Sequence, residues 1–458
     1  MKQLSWCAFL LWSWFGFSQI PVSNEIFQAI NAAKNKDVDW NNQSIEKQKL
    51  ELERKSVLNK YIPKVEATGL YGYLNSEGNI DIPNLTVPIL GTQLFSGSQD
   101  FSAKGQAVHA NVMAKAVLFS GGQIYNGAKA LKYKNEGTSY MMELREDEII
   151  KDIILSYDQL YFLKEAEKLV YESEVRLKKE NERVEKAIAS GLAIPYDRDK
   201  IQLAQLELHS KKADILHNQE LLILKIAQAT NFSQETILNT LHYVDPIMVI
   251  DDLSVDDKNE VKALQAFQKA ADYNIKKEKG SLLPTVGAFG GYSYTSLFNG
   301  EFTTPLSTLN RDLNLQLNHF TLQPTWMIGV GMKWEIFSRF ERSHKIEEAK
   351  LSKLQLDNKL TDTREKLVLQ LKKNRMSYET QLRQLEIAQQ REIIAKNNNS
   401  MAEKQYKAGL ITITDRLAAE NDVYKESLNK IETIIKQRQA ALETYQSAGN
   451  LRSFIKIQ

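Results

Sequence analysis

The sequence predicts a mostly helical chain with a small β part: long antiparallel helical hairpins joined to four strands. Three observations carry that expectation. The stretches Gly121–Ser190 and Arg339–Ala408 contain no proline, and each is followed by a Gly-Leu turn and a second proline-free stretch. The alternating stripe Val65, Ala67, Gly69, Tyr71, Tyr73 recurs as Val286, Ala288, Gly290, Tyr292, Tyr294, with the period of two that belongs to a strand. Finally, Phe119-Ser120, Gly191-Leu192 and Asp197-Arg198 return as Phe337-Ser338, Gly409-Leu410 and Asp415-Arg416, all 218 residues on; the stripe returns after 221. A period near half the chain length means two copies of one unit, not a solenoid of many short ones.

The chain opens on Lys2 and the apolar run Leu4–Phe17, with Gly16 and Ser18 at the positions a signal peptidase reads, so 1–18 is expected to be an export leader. The run is shorter than the about 18–20 apolar residues a membrane helix needs. No later run reaches that length, which leaves β-strands as the only route across a membrane. The single cysteine, Cys7, falls inside the leader, so no disulfide, thiol nucleophile or cysteine metal site is expected in the mature chain. Gln19 rather than a cysteine would follow the cleavage point, so no lipid anchor is expected there. A formal net charge of +2, one of it from Lys2, lacks the basic excess of a nucleic-acid binder. Charged residues make up 25% of the chain, with both signs interspersed as on long solvated helices.

After the leader, two structural repeats are expected, 19–230 and 231–458, each running helix, strand, loop, strand, very long helix, tight turn, helix. The first opening helix spans about Glu25–Asn59 with a break near Asp37, and Pro63 stops it. Its counterpart, Val261–Lys279, is stopped by Pro284. The return strands alternate as Ala110, Val112, Ala114, Ala116, Leu118 and as Ile328, Val330, Met332, Trp334, Ile336, with Lys115 and Lys333 on the opposite faces. Strands of nine or ten residues suit a tilted crossing, which takes about 9–11. Tyrosines at the end of an apolar stripe are the pattern of an interfacial aromatic girdle. The Gly/Ser/Asn/Thr-rich segments Asn75–His109 and Ser296–Gln323 are expected to be long loops at one shared end of the strands.

Past the return strands the period changes to about 3.5. Ser120 and Ser338 are placed to cap the long helices. Ile149, Ile153, Leu160, Leu163 and Val170, and Leu367, Leu371, Tyr378, Leu385, Ala388 and Ala395, step at coiled-coil spacings, with Asn374 and Gln381 as polar interruptions. Gly191 and Gly409 stand where a helix C-terminus takes a left-handed residue, and Pro195 suits the first turn of the next helix. The returning helices are expected at about Tyr196–Ala229 and Thr414–Ala448.

Four strands cannot close a membrane barrel, which starts at about eight. An open edge in lipid costs several kcal/mol for each unsatisfied backbone group. Strands in a membrane therefore require cyclic oligomers; two copies give eight strands and three give twelve. At this point the chain resembles the TolC-type outer-membrane efflux proteins. The resemblance rests on Tyr61-Ile62-Pro63 and Leu282-Leu283-Pro284 before the strands, Leu118-Phe119-Ser120-Gly121-Gly122 and Trp334-Glu335-Ile336-Phe337-Ser338 at the strand-to-helix joints, and Ala408-Gly409-Leu410 with Asp415-Arg416-Leu417-Ala418-Ala419 at the hairpin. It covers essentially the whole mature chain in order. It implies a homotrimer in the outer membrane of a Gram-negative bacterium, with a 12-stranded β-barrel continued by a 12-helix periplasmic α-barrel tunnel. The implied partners are a periplasmic adaptor (membrane fusion) protein and an inner-membrane transporter that energises export.

The same resemblance nominates site residues. Asp197 and Asp415 begin returning helices, where a carboxylate meets the positive helix end. In a trimer six such turns crowd the axis, so Asp197, Arg198, Asp415 and Arg416 are candidates for ion pairs that hold a periplasmic aperture shut. In some family members two acidic positions line this turn; Asp415 matches the first and Ala418 stands at the second, so an acidic ring does not carry over. Lys115 and Lys333 are candidates for lumen-facing charge that tunes ion selectivity, against solvated strand residues as the plain alternative. No nucleophile-base motif, phosphate-binding glycine loop or metal-ligand spacing appears, so neither enzyme chemistry nor a cofactor is expected. The alternatives are a periplasmic adaptor, which pairs one hairpin with soluble β domains, and a coiled-coil scaffold, which leaves the matched strands without purpose.

Overall fold

The computed structural model describes residues 20–81, 85–86, 93–95, 98–242, 244–306, 311–449 and 451–457, so the expected leader lies outside the described residues. In chain order the first elements are β1 (Ile20–Val22), α1 (Asn24–Lys36), α2 (Val38–Leu58), β2 (Lys64–Asp81), β3 (Leu85–Thr86), β4 (Gln93–Phe95) and β5 (Ser98–Phe119). Then follow α3 (Gln123–Ala189), α4 (Pro195–Thr230), α5 (Gln234–Asn239) and α6 (Asn259–Gly280). The remainder is β6 (Thr285–Leu306), β7 (Arg311–Lys333), α7 (Glu341–Lys407), α8 (Ile413–Ala448) and β8 (Ile455–Ile457). Two compact units share these elements: a sheet unit of Glu51–Lys132 and Lys269–Lys353, and a helical unit of Met1–Leu50, Tyr133–Gln268 and Leu354–Gln458.

The sheet unit is an antiparallel meander in the order β2-β5-β6-β7. Residues directly opposed across a ladder share a face, so the register sorts the side chains. Val65, Ala114, Gly290 and Ile328 are aligned across the four strands, and Val112, Tyr292 and Trp326 follow on the same face. That face is apolar and largely exposed, with Val65, Tyr71, Tyr73, Trp326, Ile328 and Val330 all open. The other face carries Lys64, Lys115, Phe289 and Gly329 on one rung, with Lys333 two rungs along, opposite Thr285.

The strands are much longer than their apolar stripes. They hold 18, 22, 22 and 23 residues, so most of the segments 75–109 and 296–323, expected as loops, are paired strand. Hydropathy alternation ends where one face ceases to be apolar, whereas the backbone ladder continues with Gly, Ser, Asn and Thr on both faces. The register shifts between Lys104 and Gln106 and between Ser293 and Thr295 fall close to that change of character.

At the joints, Ser120 Oγ accepts the Ile124 amide at 3.3 Å and Ser338 Oγ accepts that of Arg342 at 3.5 Å. Two left-handed residues intervene before each helix. They are Gly121 and Gly122 (φ 61° and 79°) at the first joint and Arg339 and Phe340 (φ 50° and 64°) at the second. Glycine reaches this region freely, while other L-residues pay a steric cost. Gly121 also lies so close to Gly280 that a Cβ would stand 2.1 Å from the Gly280 carbonyl oxygen.

In the helical unit the break at Asp37 is real: its carboxylate caps Trp40 at 2.7 Å and takes Arg145 at 2.7 Å. That guanidinium holds the Asp37 carboxyl below its ordinary range. The long helices α3 and α7 have 67 residues each, about 100 Å at 1.5 Å per residue. Their partners α4 and α8 have 36 each. Ile149, Ile153, Leu160, Leu163, Val170, Tyr378, Leu385, Ala388 and Ala395 are buried, as the coiled-coil spacing requires. Asn374 is buried too, and its amide donates to the Glu443 carbonyl at 2.9 Å, which removes the cost of a polar group in the seam.

The segment joining α5 to α6 is laid along α8 and pinned by side chains. Gln437 accepts the Ile247 amide at 3.0 Å and donates to its carbonyl at 2.6 Å, while Tyr445 donates to the Met248 carbonyl at 2.7 Å. Beneath it, fully buried Asp158 takes Arg438 at 2.9 Å and hydrogen-bonds His242. Burial pushes the Asp158 carboxyl up, but Arg438 and His242 outweigh it and hold it below its usual value. Nearby, β1 and β8 pair in parallel, and buried Asp147 accepts the Leu451 amide at 2.8 Å. Burial raises the Asp147 carboxyl to about 7 against the pull of Lys258 and two amides.

Candidate functional site

The hairpin turns concentrate the nominated residues. Each long helix ends on a glycine in left-handed geometry, Gly191 at φ 75° and Gly409 at φ 72°. The next amide closes back on the helix, Leu192 to Ala187 O at 2.8 Å and Leu410 to Gln405 O at 2.9 Å. These are Schellman-type closures, which satisfy carbonyls a helix end leaves open. Leu192 and Leu410 are left 83% and 74% exposed at the turns.

The Asp-Arg pair is used differently in the two turns. Asp415 accepts the Thr412 amide at 3.1 Å and its hydroxyl at 2.6 Å, while Thr412 Oγ1 accepts the Asp415 amide at 3.2 Å. This reciprocal capping box holds the Asp415 carboxyl below its ordinary range, chiefly through the hydroxyl and then the amide. At the first turn Ile194 has no side-chain oxygen, and Asp197 reaches its amide only at 3.4 Å. Arg198 binds its own neighbour Asp199 at 2.8 Å on the exposed surface.

Arg416 is the exception among the four. It is 8% exposed, 3.8 Å from Glu180 and 3.6 Å from Glu420, with its guanidinium 5.9 Å from the Tyr406 ring centre. Glu420 also takes Arg176 at 2.8 Å, and Arg183 stands 3.5 Å from Glu180. The result is an alternating chain, Arg176–Glu420–Arg416–Glu180–Arg183, that ties α8 to α3. Buried charges in such a chain are strongly interdependent, since removing one leaves its neighbours uncompensated. Arg416 Nη1 and Glu420 Oε2 make no hydrogen bond, so the chain is an electrostatic contact with room to reorganise.

Both turns line one cleft of about 510 Å³ that includes Glu180, Arg183, Asp197, Glu403, Tyr406 and Arg416. Asp197, Gly409 and Arg416 are thus brought together, whereas Arg198 and Asp415 are not among the residues that line the cleft. Lys115 and Lys333 belong to the sheet unit, exposed on its polar face. Arg176, Glu180 and Glu420 were not singled out from sequence. Their signal was present: Arg416 and Glu420 are four apart on one helix, and Arg176, Glu180 and Arg183 step by four and three along another.

The model of the outer membrane efflux protein family matches residues 254–450. None of the curated proteins matches the sequence. Among solved structures, CusC superposes with a TM-score of 0.72 at 11% identity, over 94% of this chain and 93% of its own. The CmeC outer membrane channel of Campylobacter jejuni gives 0.67 at 14%, over 93% and 86%. The outer membrane protein VceC of Vibrio cholerae gives 0.65 at 12%, over 93% and 96%. These likenesses establish the fold over nearly the full length, and the family match covers the second hairpin with the segment before it. The chain is thus similar to the outer membrane efflux proteins over residues 254–450 and shares the fold of these channels over nearly its full length.

Proposed function

We propose that the protein is the outer-membrane channel of a tripartite efflux system, a passive homotrimeric conduit from periplasm to exterior driven by an inner-membrane transporter. The observation that carries this reading is the four-stranded sheet. One face is a continuous apolar surface with tyrosines and a tryptophan, the other is polar, and both edge strands are open. Three copies close those edges into a twelve-stranded barrel whose polar face lines the lumen and whose apolar face meets outer-membrane lipid. Exposed apolar residues at helical spacing on α4 (Leu203, Leu206, Leu224) and α7 (Leu369, Met376, Ile394, Met401) suit burial against neighbouring copies in a helical tunnel.

The two repeats, 19–230 and 231–458, supply equivalent hairpins, each ending in an exposed leucine, Leu192 or Leu410, suited to the periplasmic adaptor. The turns form the periplasmic aperture. Arg416 holds it closed from within one chain through Glu180 and Glu420, while exposed Asp197, Arg198 and Asp415 act between chains. Lys115 and Lys333 set the charge of the lumen wall. No enzymatic step, nucleic acid or resident cofactor enters this reading.

Envelope fractionation with native mass of the detergent-extracted protein, followed by planar-bilayer conductance, tests it. A trimer from the outer-membrane fraction that conducts is the expected result. A soluble monomer or dimer without conductance would reject the channel and favour an adaptor or coiled-coil scaffold of the envelope.

A further inference from the structure

One rung of the sheet reads Lys64, Lys115, Phe289, Gly329 across β2, β5, β6 and β7. Its first two members are like charges in direct opposition, which destabilises a strand pair unless something of opposite sign is near. Glu66 pairs with Lys64 from two residues along the same face. Lys60 and Lys64 nevertheless join Lys115 in lining a cavity of about 830 Å³ that has no carboxylate among its lining residues. The cationic side of this cavity is therefore in excess, on a surface that carries the charge at a cost.

The other side is apolar. Phe289 lies across a gap left by two glycines: a Cβ on Gly329 would stand 2.9 Å from the ring, and one on Gly331 3.6 Å from it. Met113 and Met327 complete that wall. The volume falls in the range of about 300–1,000 Å³ typical of sites for drug-sized molecules. An aromatic ring with one open side favours a flat apolar body in offset contact, and lysines at hydrogen-bonding reach favour an anionic head.

We propose that this cavity is a lumenal subsite for organic anions with a flat apolar body, held by Lys60, Lys64 and Lys115 at the head and by Phe289 at the ring. The assignment rests on the channel reading, since it places the cavity on the conducting path. It makes the lower barrel wall a resting place for one chemical class of cargo, beyond a general effect of lysines on ion flow. Opposed lysines on one rung, with two glycines beside the Phe289 ring, are the combination that a simple polar wall has no use for.

The test is titration of the full-length, detergent-solubilised protein with naphthalene-2-sulfonate, with sulfate and naphthalen-2-ylmethylammonium as comparators, alongside current block in planar bilayers. The expected result is saturable sulfonate binding, at least about tenfold weaker for either comparator. Lys64→Gln with Lys115→Gln, and separately Gly331→Leu, which fills the gap and keeps every lysine, should each weaken binding by at least about tenfold at unchanged native mass. Equal binding of sulfate would reduce the cavity to a charge field, and equal binding of the cationic naphthalene would reduce it to an apolar dent; either overturns the proposal. So does unchanged binding in both variants. Binding without any conductance would reject the channel and leave the subsite standing, whereas conductance without binding or block would reject the subsite alone.

Discussion

The first and second hairpins meet the same backbone demands and answer them with different chemistry. At the strand-to-helix joint both need two left-handed residues; the first supplies Gly121 and Gly122, the second Arg339 and Phe340. At the far turn both use a glycine, but only the second has a hydroxyl to build a reciprocal cap, and only its arginine is buried. The difference shows which constraints are local and which come from neighbours. A turn needs its glycine wherever it is. An Asp-Arg pair takes its role from what lies opposite, and only Arg416 has the Glu180 and Glu420 carboxylates beside it.

The largest expected effect separates the joints. Gly121→Ala should cost more than about 3 kcal/mol, because the new Cβ meets backbone 2.1 Å away in addition to its disfavoured φ. Replacing Arg339 and Phe340 together by glycine should instead raise stability by about 1–2 kcal/mol through relief of the same φ. Thermal unfolding in detergent reads both, and equal losses at the two joints would dissolve the contrast. Next come the arginines. Arg416→Met should destabilise by up to about 3 kcal/mol, since it takes the buried cation from between Glu180 and Glu420 and leaves them only the more exposed Arg183 and Arg176. Arg198→Met should stay within about 0.5 kcal/mol, as an exposed pair with Asp199 is worth little. A comparable loss for Arg198 would mean that the two turns bear load alike.

Gly191→Ala and Gly409→Ala should be alike, each costing about 1–2 kcal/mol, because no atom lies within 4 Å of either added Cβ and only the backbone is penalised. Urea titration of the two variants checks it, and a gap between them would reveal a contact specific to one turn. Smallest is the cap. Thr412→Ala should cost about 1 kcal/mol, and Ile194→Thr should return about as much to the first turn. Because the Asp415 carboxyl is held low in the folded chain, its share of the cap is present above the ordinary carboxylate range and fades as pH falls through the lowered value. The difference between wild type and Thr412→Ala should therefore shrink in acid, and a difference that grew would contradict the hydrogen-bond assignment.

Most of the architecture could be read from particular residues. Proline-free stretches closed by Gly191-Leu192 and Gly409-Leu410 located α3, α4, α7 and α8 to within a few residues, because helix breaking and left-handed closure are local properties. The alternation of Val65 to Tyr73 identified the apolar face, which the strand register then aligned across four strands. The strand ends were not legible. Hydropathy records what a face touches, and the continuation of β2 to Asp81 and of β6 to Leu306 is a matter of backbone pairing, which polar residues serve as well. Of the nominated side chains, Asp415 could be read as a cap from its distance to Thr412. The burial of Arg416 depends on α3, more than 220 residues away in sequence, and no local pattern states it.

The open edges of the sheet have a consequence for how the protein is made. Among the described residues, β2 and β7, of 18 and 23 residues, each present one edge without a strand partner. A newly exported chain in that condition offers a template to any extended segment it meets. In the proposed trimer, completion of the sheet is a meeting between chains, and its rate depends on their local concentration instead of on the chain's own folding speed. Sparse chains spend longer exposed to proteases and to wrong partners than abundant ones. Yield should fall faster than synthesis when expression is lowered, which makes escort of the unassembled chain a selectable trait.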